Sequence, residues 1–148
     1  MVRAKNRTGS GVFRIPYTKV KLSPHTESAP MVHVRLSWKG EPTYVDMMMD
    51  SGATLSILPP RIAEELGAMG PPGKGIGGTI QIRPAKVYLQ LATSDTSGKT
   101  GRAWLLDPVM VASSDEAVPV PLLGRRPFLL HHELAIREDQ GEFVLREV

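Results

Sequence analysis

Residues 47–59 carry the most informative pattern of the sequence, Met47-Met48-Met49-Asp50-Ser51-Gly52-Ala53-Thr54-Leu55-Ser56-Ile57-Leu58-Pro59. An apolar run leads directly into an acid, a hydroxyl residue, a glycine and a small residue, and a second apolar run follows. We predict a strand at residues 43–49, buried on both faces at its far end, and a short strand at residues 55–58. A carboxylate placed directly after a buried strand is costly unless it is hydrogen-bonded or functional. Asp50 is therefore a candidate functional residue.

A turn at the end of a strand is the simpler interpretation of Asp50, because Asp, Ser and Gly are common turn residues and meet by chance in many loops. A second informative segment lies downstream. Residues 70–78 contain five glycines, which favours a mobile turn or hairpin tip over a packed element. A flexible linker is the alternative for this run. A phosphate-binding P-loop is excluded, because Lys74 is followed by Gly75 and not by Ser or Thr.

Three segments, in the same order along the chain, resemble the motifs of the retropepsin-like aspartic peptidases. Residues 50–53 resemble the active-site loop, residues 73–80 the glycine-rich flap, and residues 121–130 the second signature, an apolar pair followed by a glycine and a short helix. Ala53 resembles the retroviral-like branch, since the pepsin-like pattern prefers a hydroxyl residue there. The resemblance covers about residues 31–148 and implies a mostly β, retropepsin-like acid-protease barrel subunit with a glycine-rich flap and one or two short helices.

The resemblance implies that Asp50 is catalytic and works with a second carboxylate. A single D-[ST]-G occurs, and 148 residues leave no room for a second lobe, so Asp50 of another copy must supply the partner. We therefore expect a homodimeric aspartic endopeptidase that hydrolyses an extended peptide or protein substrate and uses no metal or other cofactor. The alternative is a non-catalytic dimeric peptide-binding or scaffolding domain with the same fold.

The same resemblance gives roles to the neighbours of Asp50. Ser51 is expected to hydrogen-bond across the pair of active-site loops and so to tie them together. Gly52 is expected to permit the backbone geometry and to present its N–H to the carboxylate, while Ala53 leaves space beside it. The residues expected to bend over the substrate as the flap are Gly75, Ile76, Gly77 and Gly78.

Residues 131–133, His131-His132-Glu133, invite comparison with a metal site. Adjacent residues point in different directions on a helix, and no H-E-x-x-H spacing follows. We expect a surface pair at the end of a helix and no metal site.

The rest of the chain is predicted to be short strands separated by Gly and Pro. Residues 1–30 have few periodic apolar positions and are predicted to be an N-terminal extension, either flexible or a wrapping arm, before a domain at residues 31–148. Helical turns are predicted at residues 61–66, ended by Gly67, and at residues 125–132. The remaining predicted strands are residues 31–38, 80–91 with an interruption at Pro84, 103–112, 120–123, 134–137 and 143–145, the last two joined by a turn at residues 139–141.

Composition narrows the class of protein. The sequence has no Cys, which removes disulfides and favours a reducing compartment, so a cytoplasmic location is expected. The 18 Lys and Arg exceed the 15 Asp and Glu by only three, and these cations are scattered, so no nucleic-acid partner is expected. Since no apolar run approaches the roughly 18 residues that a membrane helix needs, we expect no association with a membrane.

Overall fold

A computed structural model describes residues 11–22, 24–68 and 83–148. Within these residues the protein has eleven strands, one α-helix and two 3₁₀ turns. The strands are β1 (Val12–Pro16), β2 (Thr18–Leu22), β3 (His25–Ala29), β4 (Met31–Ser37), β5 (Thr43–Met49), β6 (Ile57–Leu58), β7 (Arg83–Leu91), β8 (Ala103–Val111), β9 (Leu122–Leu123), β10 (His132–Arg137) and β11 (Glu142–Glu147). The helix is α1 (Pro60–Glu65), and the 3₁₀ turns are Leu129–His131 and Glu138–Gln140.

Six strands close a barrel in the order β4-β5-β9-β6-β8-β7. On β4 the side chains of Val32, Val34 and Leu36 are buried while His33 is exposed, which is the alternation expected of a strand with one face on the core. The barrel closes where β4 pairs with β7 in antiparallel register, and the inward residues of both strands then face one core. The mostly β architecture predicted from the sequence is confirmed.

The strand β9 determines where the barrel presents its loops. It pairs in parallel with β5 and in antiparallel fashion with β6, so it lies between them. Because β5 and β9 run in the same direction, the loops that follow them leave the barrel at the same end. These two loops begin at Asp50 and Gly124, the segments that the sequence analysis singled out.

The ends of the described chain form a second sheet, with the order β1-β11-β10. Phe13 and Ile15 of β1 lie opposite Leu145 and Phe143 of β11 and share the core of the barrel. The sequence predicts no strand before residue 31, whereas the structure has β1 and the hairpin β2–β3 there. A strand with only two inward apolar residues gives too short an alternation to be recognised. The boundary at residue 31 stays a prediction.

The strand β7 runs without a break through Pro84, which lies opposite Met110 of β8. The predicted interruption at Pro84 is therefore wrong, and the irregularity in the ladder lies between Ala85 and Val87. β4 pairs only with the second half of β7. At Pro84 the strand thus has β8 as its described neighbour, and a proline without an N–H is tolerated at such an edge position.

The two helical predictions differ in outcome. Residues 61–66 do form a helix, α1, with Pro60 in its first turn and Gly67 in the left-handed conformation after it (φ 65°). Residues 125–132 do not; only Leu129–His131 forms a 3₁₀ turn, because His132 already pairs with Glu147 as the first residue of β10. None of the helices in the described ranges is long and apolar enough to cross a membrane.

Candidate active site

Asp50 lies at the rim of the barrel, directly after β5. Its backbone N–H donates to the carbonyl of Leu123 on β9 (2.9 Å), so the end of the strand is fixed from the side. Met47 and Met49 are buried, but Met48 is partly exposed. The prediction of burial on both faces is wrong for Met48, because alternation along the strand turns its side chain to the opposite face. Asp50 itself is half-buried.

The four residues 50–53 form a tight turn around the carboxylate. The Gly52 N–H donates to Asp50 Oδ1 (3.0 Å), and the Ala53 N–H donates to the Asp50 carbonyl (3.1 Å). A Cβ on Gly52 would come within 3.2 Å of Asp50 Oδ1, so a larger residue there would press on the carboxylate. The same hydrogen bond to the carboxylate occurs in ordinary Asx turns. The turn by itself is therefore not specific to a catalytic carboxylate.

The segment after β9 packs directly behind this turn. A Cβ on Gly124 would lie 2.5 Å from the carbonyl oxygen of Leu55 and 3.0 Å from that of Ala53. The Arg125 N–H donates to the Ala53 carbonyl (2.9 Å), and the Arg126 N–H donates to the Thr54 carbonyl (2.8 Å). The structure thus brings together two of the three segments that the resemblance links, and only a glycine fits at their closest approach.

Ser56 is a residue of the site that the sequence analysis missed. Its side chain is fully buried, and its Oγ accepts a hydrogen bond from the Gly124 N–H (3.0 Å). Its carbonyl accepts from the Met110 N–H on β8 (2.9 Å). If a predicted strand is buried, a hydroxyl between two of its apolar residues must find a hydrogen-bond partner inside the protein. The sequence therefore indicated that the Ser56 hydroxyl needs a hydrogen-bond partner, although it does not reveal which residue supplies that partner.

The tip of the loop that follows Asp50 faces solvent. Ser51, Gly52 and Thr54 are exposed, and Ala53 is partly buried. In the described ranges the Ser51 hydroxyl makes no hydrogen bond, so it is available to a second molecule. The predicted flap residues lie outside the described residues; they are Gly75, Ile76, Gly77 and Gly78.

The two histidines after the second segment belong to an aromatic cluster. His131 stacks on Trp104 with the ring centres 5.0 Å apart, and His132 stacks on Phe128 at 4.2 Å. His132 Nδ1 donates to the Phe128 carbonyl (2.8 Å), and burial of the ring lowers the pKa of His132. Across residues 11–22, 24–68 and 83–148, no group of three or more His, Asp or Glu side chains could hold a metal ion.

Comparison with known proteins identifies the architecture. No protein-family model matches the chain, and neither does any curated protein. A solved retropepsin-like aspartic protease from Rickettsia conorii is similar over 93% of this chain and 91% of its own length, with 17% identity and a TM-score of 0.53. The EIAV protease, solved with the inhibitor HBY-793, aligns over 79% of this chain and 100% of its own, with 20% identity and a TM-score of 0.44. The first similarity shows that this chain has a retropepsin-like fold.

Proposed function

We propose that this chain, which has the retropepsin-like fold, is an aspartic endopeptidase that works as a homodimer. Asp50 of each copy would supply one half of a carboxylate pair on the two-fold axis, and an extended peptide or protein substrate would bind across the interface. The observation that carries the proposal is the position of Asp50. Its side chain is partly exposed at the rim of the barrel, on a loop that is held by backbone hydrogen bonds to residues 123–126.

The chemistry explains why two carboxylates are needed. Hydrolysis of a peptide bond requires a base that deprotonates water and an acid that protonates or polarises the scissile carbonyl. Two carboxylates about 3 Å apart cannot both ionise, so the pair holds one proton and divides these two tasks between its members. The sequence has a single Asp-Ser-Gly loop, so the second carboxylate would come from a second copy. The pair would titrate as a unit.

The exposed tip of the loop supports this assembly. We propose that the Ser51 hydroxyl donates a hydrogen bond to the loop of the partner and so joins the two active-site turns. Gly52 would hold the Asp50 carboxylate through its N–H, as it does within one chain. Ala53 would keep the space beside the carboxylate free for the substrate.

Two further elements of the proposal rest on sequence alone. Gly75, Ile76, Gly77 and Gly78 would form a flap that closes over the substrate, excludes water and offers backbone hydrogen bonds to the extended peptide. A chain without cysteine has no disulfide to maintain, so the proposed location is the cytoplasm.

The first experiment is cleavage of a mixed peptide library by the purified wild type and by Asp50→Asn. A high micromolar protein concentration is needed, because an obligate dimer loses its site on dilution. We expect cleavage that resists a chelator and falls at least about a hundredfold in Asp50→Asn, since the variant cannot act as acid or base. Thermal unfolding of the variant should match the wild type, which separates loss of chemistry from loss of fold.

Mixing the two proteins tests the shared site. If each site needs one Asp50 from each chain, adding excess Asp50→Asn to a fixed amount of wild type draws wild-type chains into inactive heterodimers. Activity per wild-type chain should therefore fall as the variant is added. Constant activity would contradict a site made by two chains, and equal cleavage by both proteins would contradict the role of Asp50. Peptide binding without cleavage by either protein would favour the dimeric binding or scaffolding domain.

A further inference from the structure

The two segments that build the site carry unequal charge. Residues 50–59 and 121–132 contain one carboxylate, that of Asp50, and two guanidinium groups, those of Arg125 and Arg126. The proposed mechanism uses the carboxylate and neither arginine. The positive charge beside the active-site loop is therefore unexplained by the chemistry of hydrolysis.

Arg125 is attached to the active-site loop by its side chain as well as its backbone. Its N–H donates to the Ala53 carbonyl (2.9 Å), and its Nη2 donates to Thr54 Oγ1 (3.2 Å). Arg126 is attached to the loop through its backbone N–H, which donates to the Thr54 carbonyl (2.8 Å). The guanidinium of Arg125 is thus held at residue 54, four positions after Asp50, on the exposed side of the loop.

The described chain offers no carboxylate to Arg125. A guanidinium has five N–H donors, and the Thr54 hydroxyl accepts from one nitrogen of Arg125. Ion pairs hold four other arginines of the described surface: Arg14 and Arg137 with Glu142, Arg61 with Asp115, and Arg146 with Glu133. Within the described ranges, no ion pair joins Arg125 to an acidic side chain, although the Arg125 side chain is hydrogen-bonded to the loop that carries Asp50.

We propose that Arg125 is a specificity residue that binds the carboxylate of an Asp or Glu side chain in the substrate, within the residues next to the scissile bond. This inference rests on the proposed peptidase function. In a symmetric dimer, one Arg125 would lie on each side of the scissile bond, so the preference for an acidic residue would occur on both sides. The chemical class of substrate is therefore an extended peptide with acidic residues flanking its cleavage site.

The surroundings decide how strong this contact is. An exposed ion pair contributes little, because water and salt screen it. A bound peptide and a second copy of the chain would displace water from the loop, and a carboxylate can then accept two parallel N–H groups from the planar guanidinium. The Thr54 hydroxyl already holds the guanidinium in place, so less conformational freedom is lost on binding.

The test compares two peptides that are identical except for Glu or Gln on either side of an apolar centre. At about pH 5.5, where a Glu side chain is ionised, we expect the wild type to cleave the Glu peptide with a roughly tenfold higher kcat/KM, the size of one hydrogen bond to a charged group. Arg125→Gln should abolish the preference, so that the ratio of kcat/KM for the two peptides falls to about one. Arg137→Gln is the matched control, because it removes the same charge from β10 and leaves Glu142 paired with Arg14.

Two further readouts separate recognition from a structural role. The preference should shrink as salt is raised and as the pH falls below about 4.3, where Glu loses its charge, with the Gln peptide reporting the effect of pH on the enzyme itself. Thr54→Val, which removes the hydroxyl that holds the guanidinium, should weaken the preference. Equal cleavage of both peptides by the wild type, an unchanged preference in Arg125→Gln, or an equal loss for both peptides would overturn the inference.

A binding measurement tests the role of Arg125 without requiring any peptide cleavage. Fluorescence anisotropy with labelled versions of the two peptides measures their Kd for Asp50→Asn and for Asp50→Asn combined with Arg125→Gln. Tighter binding of the Glu peptide that disappears in the double variant supports the role of Arg125 even if the wild type cleaves nothing. Equal Kd values in Asp50→Asn overturn the role of Arg125 even if the wild type is an active peptidase.

Discussion

The loop that carries Asp50 and the sheet that joins the two ends of the described chain are held together in different ways. Backbone hydrogen bonds fix the loop, and Gly124 approaches the carbonyl of Leu55 so closely that no side chain fits. Side-chain burial fixes the sheet, where Phe13 and Phe143 have at most 1% of their surface exposed. The loop therefore depends on backbone geometry, while the sheet depends on apolar contact for its stability.

The largest expected effect comes from adding one methyl group to the loop. In Gly124→Ala the new Cβ would stand 2.5 Å from the oxygen and 2.6 Å from the carbon of the Leu55 carbonyl, both backbone atoms that cannot rotate away. We expect either no folded protein or a loss of at least about 4 kcal/mol in the free energy of unfolding. Urea unfolding followed by circular dichroism, at a fixed protein concentration, measures this loss.

Gly52→Ala is the matched control within the same site. Its Cβ would approach one side-chain atom, Asp50 Oδ1, at 3.2 Å, and Gly52 is exposed. We expect its unfolding free energy to change by about 1 kcal/mol or less, while cleavage decreases because the Asp50 carboxylate is displaced. A Gly124→Ala protein as stable as Gly52→Ala would remove the distinction between the two regions, because the loop would then not depend on its backbone geometry.

The backbone arrangement of the Asp50 loop could be predicted from the sequence for a physical reason. The elements of the loop are neighbours along the chain: the end of β5, Asp50, a glycine turn and β6 all lie within residues 47–59. The second segment needs a glycine at position 124, because a Cβ there would collide with the backbone carbonyl of Leu55. Side-chain contacts between the segments, such as Ser56 with Gly124 and Arg125 with Thr54, follow from the folded geometry and leave no local pattern.

The sheet formed by β1, β11 and β10, here called the terminal sheet, should lose stability when an apolar contact is removed. Phe13 is buried among the residues of β11 and the barrel core, and replacing a buried Phe by Ala removes its contacts and leaves a cavity. We expect Phe13→Ala to lower the free energy of unfolding by about 3–5 kcal/mol. At a temperature where the variant is fully folded, kcat/KM should remain close to the wild-type value, because β1 contributes no residue to the Asp50 loop.

Arg14→Ala tests whether this effect is specific to the buried face of β1. Arg14 is the next residue along the strand, exposed and paired with Glu142, and we expect its loss to cost less than about 1 kcal/mol. A loss of activity in folded Phe13→Ala, with no change in peptide binding, would contradict the independence of the two regions and would connect the terminal sheet to the Asp50 loop.

The strand β1 of the terminal sheet escaped prediction because its contacts are distant in sequence. Val12 lies opposite Arg146, and the Gly11 N–H donates to Asp95, a residue 84 positions away. Hydrophobic periodicity reveals the alternation of apolar residues within one strand but not which distant strand it pairs with. β10 and β11 could be recognised as a hairpin, because their apolar positions and the turn at Gly141 (φ 62°) are adjacent. The position of β1 beside them depends on its pairing with β11 and on the hydrogen bond from Gly11 to Asp95, which form only in the folded protein.

The smallest effect expected outside the control variants concerns Asp95, the polar attachment between the start of β1 and the turn after β7. Its buried carboxylate accepts hydrogen bonds from the Ser97 hydroxyl (2.6 Å) and from the N–H groups of Ser97, Lys99 and Gly11 (2.9 Å each). The Ser97 hydroxyl, together with these N–H groups, lowers the pKa of Asp95 to about 2, against the opposing effect of burial. The ionised form is therefore favoured by the folded state.

The pH dependence of stability follows from this shift. Since the pKa is 3.8 in the reference state and about 2 in the folded protein, the stabilisation by Asp95 is fully present above about pH 4 and is lost as the pH falls towards 2. Asp95→Asn should lower Tm by several degrees at neutral pH, and the difference from the wild type should vanish near pH 2. Asp139→Asn, on an exposed turn, is the control and should leave Tm nearly unchanged. A Tm difference that persists at pH 2 would mean that the shape of the Asp95 turn, and not its charge, attaches β1 to the barrel.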